Sequence, residues 1–284
     1  MNPVNQILKV ALHTSLISSS RPVSVLLVGP SGGGKSATIS RFSSKWIHHA
    51  SDVTTRGLYD LAAEDTGNQL RAICIPDLNV PLSHKPSVSN LTIATILSLS
   101  WDGTARIDDG RQNKILRHNA IGFYSGCTPD MFLHSYRRWQ ALGLMRRFIT
   151  LHYNYGVSTR CVGSQMIREG KIDSSPLSPI PITTRVGAKK GILISIPTEL
   201  TFEIEKLGAE LAIHLSYRLS WSTKTHRAQW TVFSRELEFA PHVLMQTMAR
   251  ASALTQGRRS VNEDDIAFLC TLLRFTNPSH PGEL

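Results

Sequence analysis

From residue 23 to residue 126, short unbroken apolar runs alternate with longer stretches whose apolar residues recur every three or four positions. VSVLLV at 23–28, the ICI of AICI at 73–75 and AIGFYSG at 120–126 are such runs. Runs of this length, with β-branched residues and bounded by turn formers, suit strands buried on both faces. Between them, KSATISRFSSKWI from residue 35 and NLTIATILSL at 90–99 have helical spacing. Buried strands separated by helices predict a parallel α/β sheet. TARIDDGRQNKIL alternates around Asp109-Gly110, a hairpin signal. The amino terminus reads as a helix, with Asn2 as cap, Pro3 in the first turn, and Val4, Ile7, Leu8, Ala11 and Leu12 on one face.

The pattern changes after Tyr155. Residues 156–192 are rich in Ser, Pro, Thr and Gly, as in SSPLSPIPITT, and read as a linker. From Pro197 the stretches TELTFEIEKLGAELAIHL, APHVLMQTMARASAL and VNEDDIAFLCTLL carry helical apolar stripes, the last capped by Asn262. The expected division is an N-terminal helix (1–20), an α/β core (21–155), a linker (156–194) and a small helical domain (195–284).

The chain has 284 residues and a formal net charge of +10, which favours acidic partners such as nucleotides or nucleic acid. Cys74, Cys127, Cys161 and Cys270 are scattered without metal-ligand spacing, which fits a reducing compartment. No apolar run approaches the ~20 residues of a membrane span, and the first residues lack the form of a signal peptide. A cytoplasmic protein without a membrane partner is expected.

GPSGGGKS, Gly29 to Ser36, satisfies G-x-x-x-x-G-K-[ST] between an expected strand and an expected helix. Pro30, Ser31, Gly32, Gly33 and Gly34 complete a loop whose backbone N–H groups can converge on phosphate oxygens, and Ala37 continues into the helix. Lys35 can reach the β- and γ-phosphates and Ser36 can ligate Mg²⁺. Asp77 follows a buried strand, in AICIPD, and suits the second metal-holding carboxylate. ATP and Mg²⁺ are therefore the expected cofactors.

With SLSWDGTARIDDGRQNKILRHNAIGFYSGCTP, GLMRRFI and MQTMARASALTQGRRSVNEDDI downstream, the chain resembles the AAA+ ATPases. Its pattern is nearest the branch of the MCM helicases, magnesium chelatases and MoxR proteins. The resemblance implies a parallel-sheet P-loop core between helices, followed by a helical lid. It places Thr128 at the sensor-1 position, with Ser125 as fallback, and Arg147 at the arginine finger beside Arg146. It makes Arg106, Arg111 and Lys114 of the hairpin candidate DNA contacts. His242 stands where the lid usually carries a sensor-2 arginine, with Arg250 farther along. Self-association is implied, as a hexameric ring or a filament with ATP between subunits.

One departure bears on turnover. The family has Glu after the metal-holding Asp; here Leu78 and Asn79 follow Asp77. Leucine cannot orient water and asparagine cannot act as a base. Slow hydrolysis is expected, with Asp130 or a neighbour's carboxylate as the alternative base. If Leu78 limits turnover, Leu78→Glu should raise it. The expected function is an ATPase acting on DNA as helicase, loader or transposition-type regulator. The alternatives are a MoxR-like protein remodeller and an ATP-dependent assembly module with little hydrolysis.

Overall fold

The computed structural model describes residues 2–17, 21–65, 67, 69–108, 113–169, 180–182, 192–222, 227–232 and 239–284. The chain opens with α1 (Pro3–Thr14), where Asn2 Oδ1 accepts from Val4 N at 2.9 Å and the expected apolar face is buried. β1 (Ser24–Val28) is buried at all five positions. α2 (Lys35–Ser40) is shorter than its periodicity predicts. Phe42, only 1 % exposed, leaves the helix to pair with Ile180, so burial overrides the local pattern.

β2 (Phe42–Ser43), β3 (Ile47–His49), α3 (Thr55–Glu64), β4 (Ala72–Ile75), α4 (Asn79–Leu82) and α5 (Pro86–Trp101) follow. The hairpin strands are β5 (Thr104–Asp108) and β6 (Asn113–Arg117), antiparallel as expected. β7 (Gly122–Cys127), α6 (Pro129–Ala141), a 3₁₀ turn (Leu144–Arg146) and β8 (Phe148–Asn154) come next.

Among the described residues, six strands form one parallel sheet. Its order is β8, β1, β7, β4, β3, with a short C-terminal strand, Gly282–Glu283, outside β8. Alternate residues divide its two faces. Val25, Leu27, Cys74, Tyr124, Ile149 and Leu151 pack with α1. Leu26, Val28, Ile73, Ile75 and Phe123 pack with α3, α5 and α6. The α/β class with helices on both faces is as expected.

The Ser/Pro-rich stretch has more structure than its composition indicates. It contains α7 (Val157–Arg168) and β9 (Ile180–Pro181), and it buries Ile182 and Ile192. α8 (Thr198–Leu215) is followed by an antiparallel hairpin, β10 (Tyr217–Ser222) and β11 (Arg227–Val232), inside a region expected to be helical. Trp230 packs edge-on to Tyr136 of α6, with ring centroids 5.6 Å apart. α9 (Phe239–Thr255) and α10 (Glu263–Thr276) close the helical region. Between them Gly257, at φ 75°, ends α9, and Arg258 makes a two-pronged bond at 2.8 and 2.9 Å to the fully buried Asp265. Asp265 also caps α10 by accepting from Asn262 N at 2.9 Å. α8, α9 and α10 share one apolar cluster with α1 and the sheet. C-terminal to α10, Gly282–Glu283 is β12, the strand outside β8.

Candidate functional site

In an open parallel sheet, ligands bind beyond the carboxyl ends of the strands. Three strand exits meet there. Gly29 N donates to Cys127 O at 3.3 Å, tying the exit of β1 to that of β7. Leu78 N donates to Gly126 O at 2.9 Å, tying β7 to β4.

The loop leaving β1 turns sharply, with Gly33 N donating to Pro30 O at 3.0 Å and Gly32 at φ 70°. Gly34, at φ 67°, starts α2, and its carbonyl accepts from Thr38 N at 2.8 Å. The glycines at 32 and 34 thus supply backbone conformations that other residues adopt only with strain. Gly29 is required for a different reason. A Cβ there would lie 2.7 Å from the ring of Tyr153.

Two tyrosines that the sequence reading missed hold this loop. Tyr153 and Tyr155 both donate their hydroxyls to Gly33 O, at 2.9 and 2.8 Å. In a trans peptide the C=O and the following N–H point in opposite directions. Fixing the Gly33 carbonyl against the tyrosines therefore turns the Gly34 N–H to the other side of the loop. The available signal was YNY at the end of a strand, since positions i and i+2 share a face.

Lys35 Nζ donates to Gly29 O at 2.8 Å and Pro30 O at 2.7 Å. Burial lowers its pKa below the ordinary lysine value, opposed by the nearby Asp77 carboxylate. Burial pushes the Cys127 thiol up to about 12, so it is neutral at physiological pH. Ser36 Oγ donates to Pro76 O at 3.3 Å, which puts the hydroxyl beside the residue preceding Asp77. Asp77 Oδ1 accepts from Asn79 N at 2.9 Å. The structure thus gathers Lys35, Ser36 and Asp77 at one end of the sheet.

Other expected residues fare differently. Thr128 sits at the exit of β7, between β1 and β4, and its hydroxyl caps α6 by accepting from Met131 N at 3.4 Å. Ser125 is buried and donates to Ile75 O at 2.6 Å, a bond between strands. Asp130 is exposed in the first turn of α6. His242 lies where α9 crosses α8. A Cβ on Gly208 would fall 2.9 Å from His242 Cα, and the imidazole Nε2 is 2.7 Å from Gln246 Nε2. Arg250 is half-buried on α9.

Leu78 is a core residue. It is 4 % exposed and belongs to the cluster containing Val28 and Ile75. A glutamate there would enter the core rather than the site.

Arg147 lies at the other end of the sheet. It directly precedes β8, and Phe148 pairs with Ser24 at the start of β1. At ~3.3 Å per residue, β1 separates it from its own phosphate loop by roughly 15 Å. In the hairpin, Arg106 is exposed and pairs with Ile115, while Lys114 pairs with Ile107. The two cationic positions are not cross-strand partners. Arg111 lies outside the described residues.

Among the described residues no cluster of His, Cys, Asp and Glu could hold a metal unaided, and no helix is long and apolar enough to cross a membrane. Compared with known proteins, the chain matches no family model and no curated protein.

Proposed function

We propose that the chain is an AAA+-type ATPase that binds Mg-ATP between subunits of a ring or filament and acts on DNA. In this reading the sheet is the P-loop core and α8, α9 and α10 form the helical lid. The observation that carries it is the junction of β1 and β4. Lys35 and Ser36 open α2 at one strand exit, and Ser36 bonds the carbonyl preceding Asp77 at the other.

The residues fit a magnesium nucleotide. The Lys35 ammonium now satisfies two loop carbonyls, and it would exchange them for phosphate oxygens, a stronger charge-assisted pairing. Backbone N–H groups of residues 32 and 34–36 would line the phosphate cradle, the one at Gly34 set by the tyrosine-held Gly33 carbonyl, while the Gly33 N–H is spent on Pro30 O. Ser36 and Asp77 are the residues that would hold Mg²⁺, which when bound neutralises charge on the phosphates. Thr128, at the strand exit between them, would order water in this reading.

A second reading, an assembly module driven by ATP binding with marginal hydrolysis, is favoured by one observation. The position after Asp77 is apolar and buried. Positioning and electrostatics supply most of the catalysis in phosphoryl transfer, so a site without that base keeps slow turnover.

The test is nucleotide and DNA binding by the wild type and Lys35→Ala, with and without a nonhydrolysable ATP analogue, over a salt series. Nucleotide binding lost in Lys35→Ala, and DNA binding that depends on analogue and salt, support the reading. Nucleotide binding unaffected by Lys35→Ala removes it. DNA binding indifferent to both variables removes the DNA part, leaving a protein substrate of the MoxR kind. Steady phosphate release by the wild type, abolished in Lys35→Ala, removes the assembly-module reading.

A further inference from the structure

A cleft of about 480 Å³ lies between α8, α10 and the turn that follows α10. Leu207, Glu210 and His214 line it from α8, where positions three and four apart share a face. Leu273 and Arg274 line it from α10, and His280 and Gly282 close it from the turn. The volume suits a small molecule, and no wall of the cleft belongs to the phosphate loop.

The walls are held by bonds of their own. Ser279 donates twice to Asn277 Oδ1, from its N–H at 3.0 Å and from its hydroxyl at 2.6 Å. With that proton used, Ser279 Oγ accepts from His280 Nδ1 at 3.0 Å. A Cβ on Gly282 would fall 2.5 Å from the Phe275 ring, so glycine lets the chain lie this close to the end of α10. His214 is oriented in the same way. The Thr276 hydroxyl donates to Leu273 O at 2.9 Å, so it accepts from His214 Nδ1 at 2.7 Å. Burial holds the His214 pKa below its ordinary value, opposed by the Glu210 carboxylate. The ring is therefore neutral at physiological pH, and its Nε2 is a lone-pair acceptor.

The cleft carries two opposite charges that do not meet. Glu210 and Arg274 pair neither with each other nor with any other described residue. Elsewhere such neighbours close on each other, as Arg258 does on Asp265 and Arg56 on Asp60. A lone anion here would meet Glu210, and a lone cation would meet Arg274. A molecule with both charges satisfies both groups. Its ammonium donates to Glu210 and His214 Nε2, and its carboxylate accepts from the Arg274 fork. Leu207 and Leu273 add apolar wall for the rest of it.

We propose that this cleft binds a free α-amino acid with an apolar side chain, its ammonium on Glu210 and His214, its carboxylate on Arg274, and its side chain against Leu207 and Leu273. The site shares no residue with the nucleotide site and does not depend on the ATPase reading.

The experiment is isothermal titration of the full chain with L-leucine and with its two single-charge counterparts, isoamylamine and isocaproate. L-leucine is expected to bind with a Kd of roughly 10 μM to 1 mM. Each counterpart lacks one charge-assisted pairing and should bind at least about 10-fold more weakly. Glu210→Gln and Arg274→Gln, both at exposed positions, should each weaken L-leucine about 10-fold or more. Their discrimination then changes in opposite senses. Arg274→Gln binds isoamylamine as well as it binds L-leucine, and Glu210→Gln does the same for isocaproate, a pattern that a merely structural role does not give. Lys35→Ala should bind L-leucine as the wild type does.

No binding of L-leucine by the wild type up to about 10 mM overturns the inference. So does a counterpart that binds the wild type as well as L-leucine, or L-leucine affinity unchanged in either Glu210→Gln or Arg274→Gln. A loss in Lys35→Ala equal to that in Arg274→Gln would assign the amino acid to the phosphate loop and also overturns it. Failure of the chain to bind nucleotide removes the ATPase reading and leaves this inference standing.

Discussion

At the carboxyl end of β1 the groups suited to phosphate are backbone N–H donors on a glycine loop held from beneath by Tyr153 and Tyr155. At the amino end of the same strand they are two guanidinium groups laid on Trp101. The first arrangement offers fixed backbone dipoles within one chain. The second presents side-chain cations, one exposed and one half-exposed, at the opposite end of the sheet. β8 connects the two, with Arg147 just before it and the tyrosines at and just beyond its finish. The phosphate loop and the arginine pair are thus linked through one strand, at its opposite ends.

The largest effect that separates the two ends is expected from Lys35→Ala. In the proposed complex it removes the charge-assisted pairing of Lys35 with phosphate, and monomer nucleotide affinity should fall roughly 10²- to 10⁴-fold by equilibrium titration. Arg147→Ala should leave that monomer affinity unchanged. A similar loss in both variants would mean that the two ends act on one nucleotide within one chain. The pH dependence follows from Lys35. Burial lowers its pKa in the free protein, and phosphate raises it in the complex. Affinity is therefore full below the free-protein pKa and falls as pH rises through it, an alkaline loss that begins below the ordinary lysine value. A flat alkaline limb would mean that Lys35 does not move to the phosphates.

Leu78→Glu is the next largest. The sequence reading expects faster turnover from it if Leu78 is what limits hydrolysis. The buried position of Leu78 predicts instead a destabilisation of about 3 kcal/mol or more, measured by denaturant unfolding, because an unpaired carboxylate enters an apolar cluster. Asn79→Glu is the better test of the missing base. Asn79 is half-buried beside Asp77, with its N–H on Asp77 Oδ1. Faster phosphate release in Asn79→Glu at wild-type stability would identify the base as what limits the carboxyl end.

This case shows where sequence reading stops. The strands at 23–28, 73–75 and 120–126 were legible because burial on both faces leaves an unbroken apolar run, and they became β1, β4 and β7. The caps at Asn2 and Asn262 were legible because capping is local chemistry. The hairpin of β10 and β11 was missed although its strands alternate, because it interrupts a helical region and is held by Trp230 on Tyr136 and by a bond from the Tyr136 hydroxyl to Tyr217 O. The role of Leu78 was not legible, since its burial is set by partners remote in sequence. The end of the sheet that Arg147 occupies is likewise a property of strand order and not of the motif around it.

A smaller effect reports on β8 itself. His152 is buried near its end with no partner for Nε2 among the described residues, and burial lowers its pKa to about 3. Between about pH 6.5 and 3 the unfolded chain binds a proton that the folded chain does not. Stability therefore falls with decreasing pH in that window, at about 1.4 kcal/mol per pH unit where the difference is complete. His152→Leu should flatten this acid limb in thermal melts. An unchanged limb would assign the acid loss to other groups.

The smallest effects come from the tyrosines, and their inequality is the sharpest test of the carboxyl end. Each hydroxyl donates to the same acceptor, Gly33 O. Removing one, in Tyr155→Phe, leaves that carbonyl satisfied by the other, so the loss is that of one net hydrogen bond. That is about 1 kcal/mol, or roughly 5-fold in nucleotide affinity. Removing both leaves the carbonyl without a protein donor and frees the Gly33–Gly34 peptide to rotate, turning the Gly34 N–H away from the phosphate side. The double variant should therefore lose more than the two single variants combined, measured as a double-mutant cycle on nucleotide affinity. Strict additivity would mean that the tyrosines support the loop only by packing, as Tyr153 does against Gly29, and do not aim its donors.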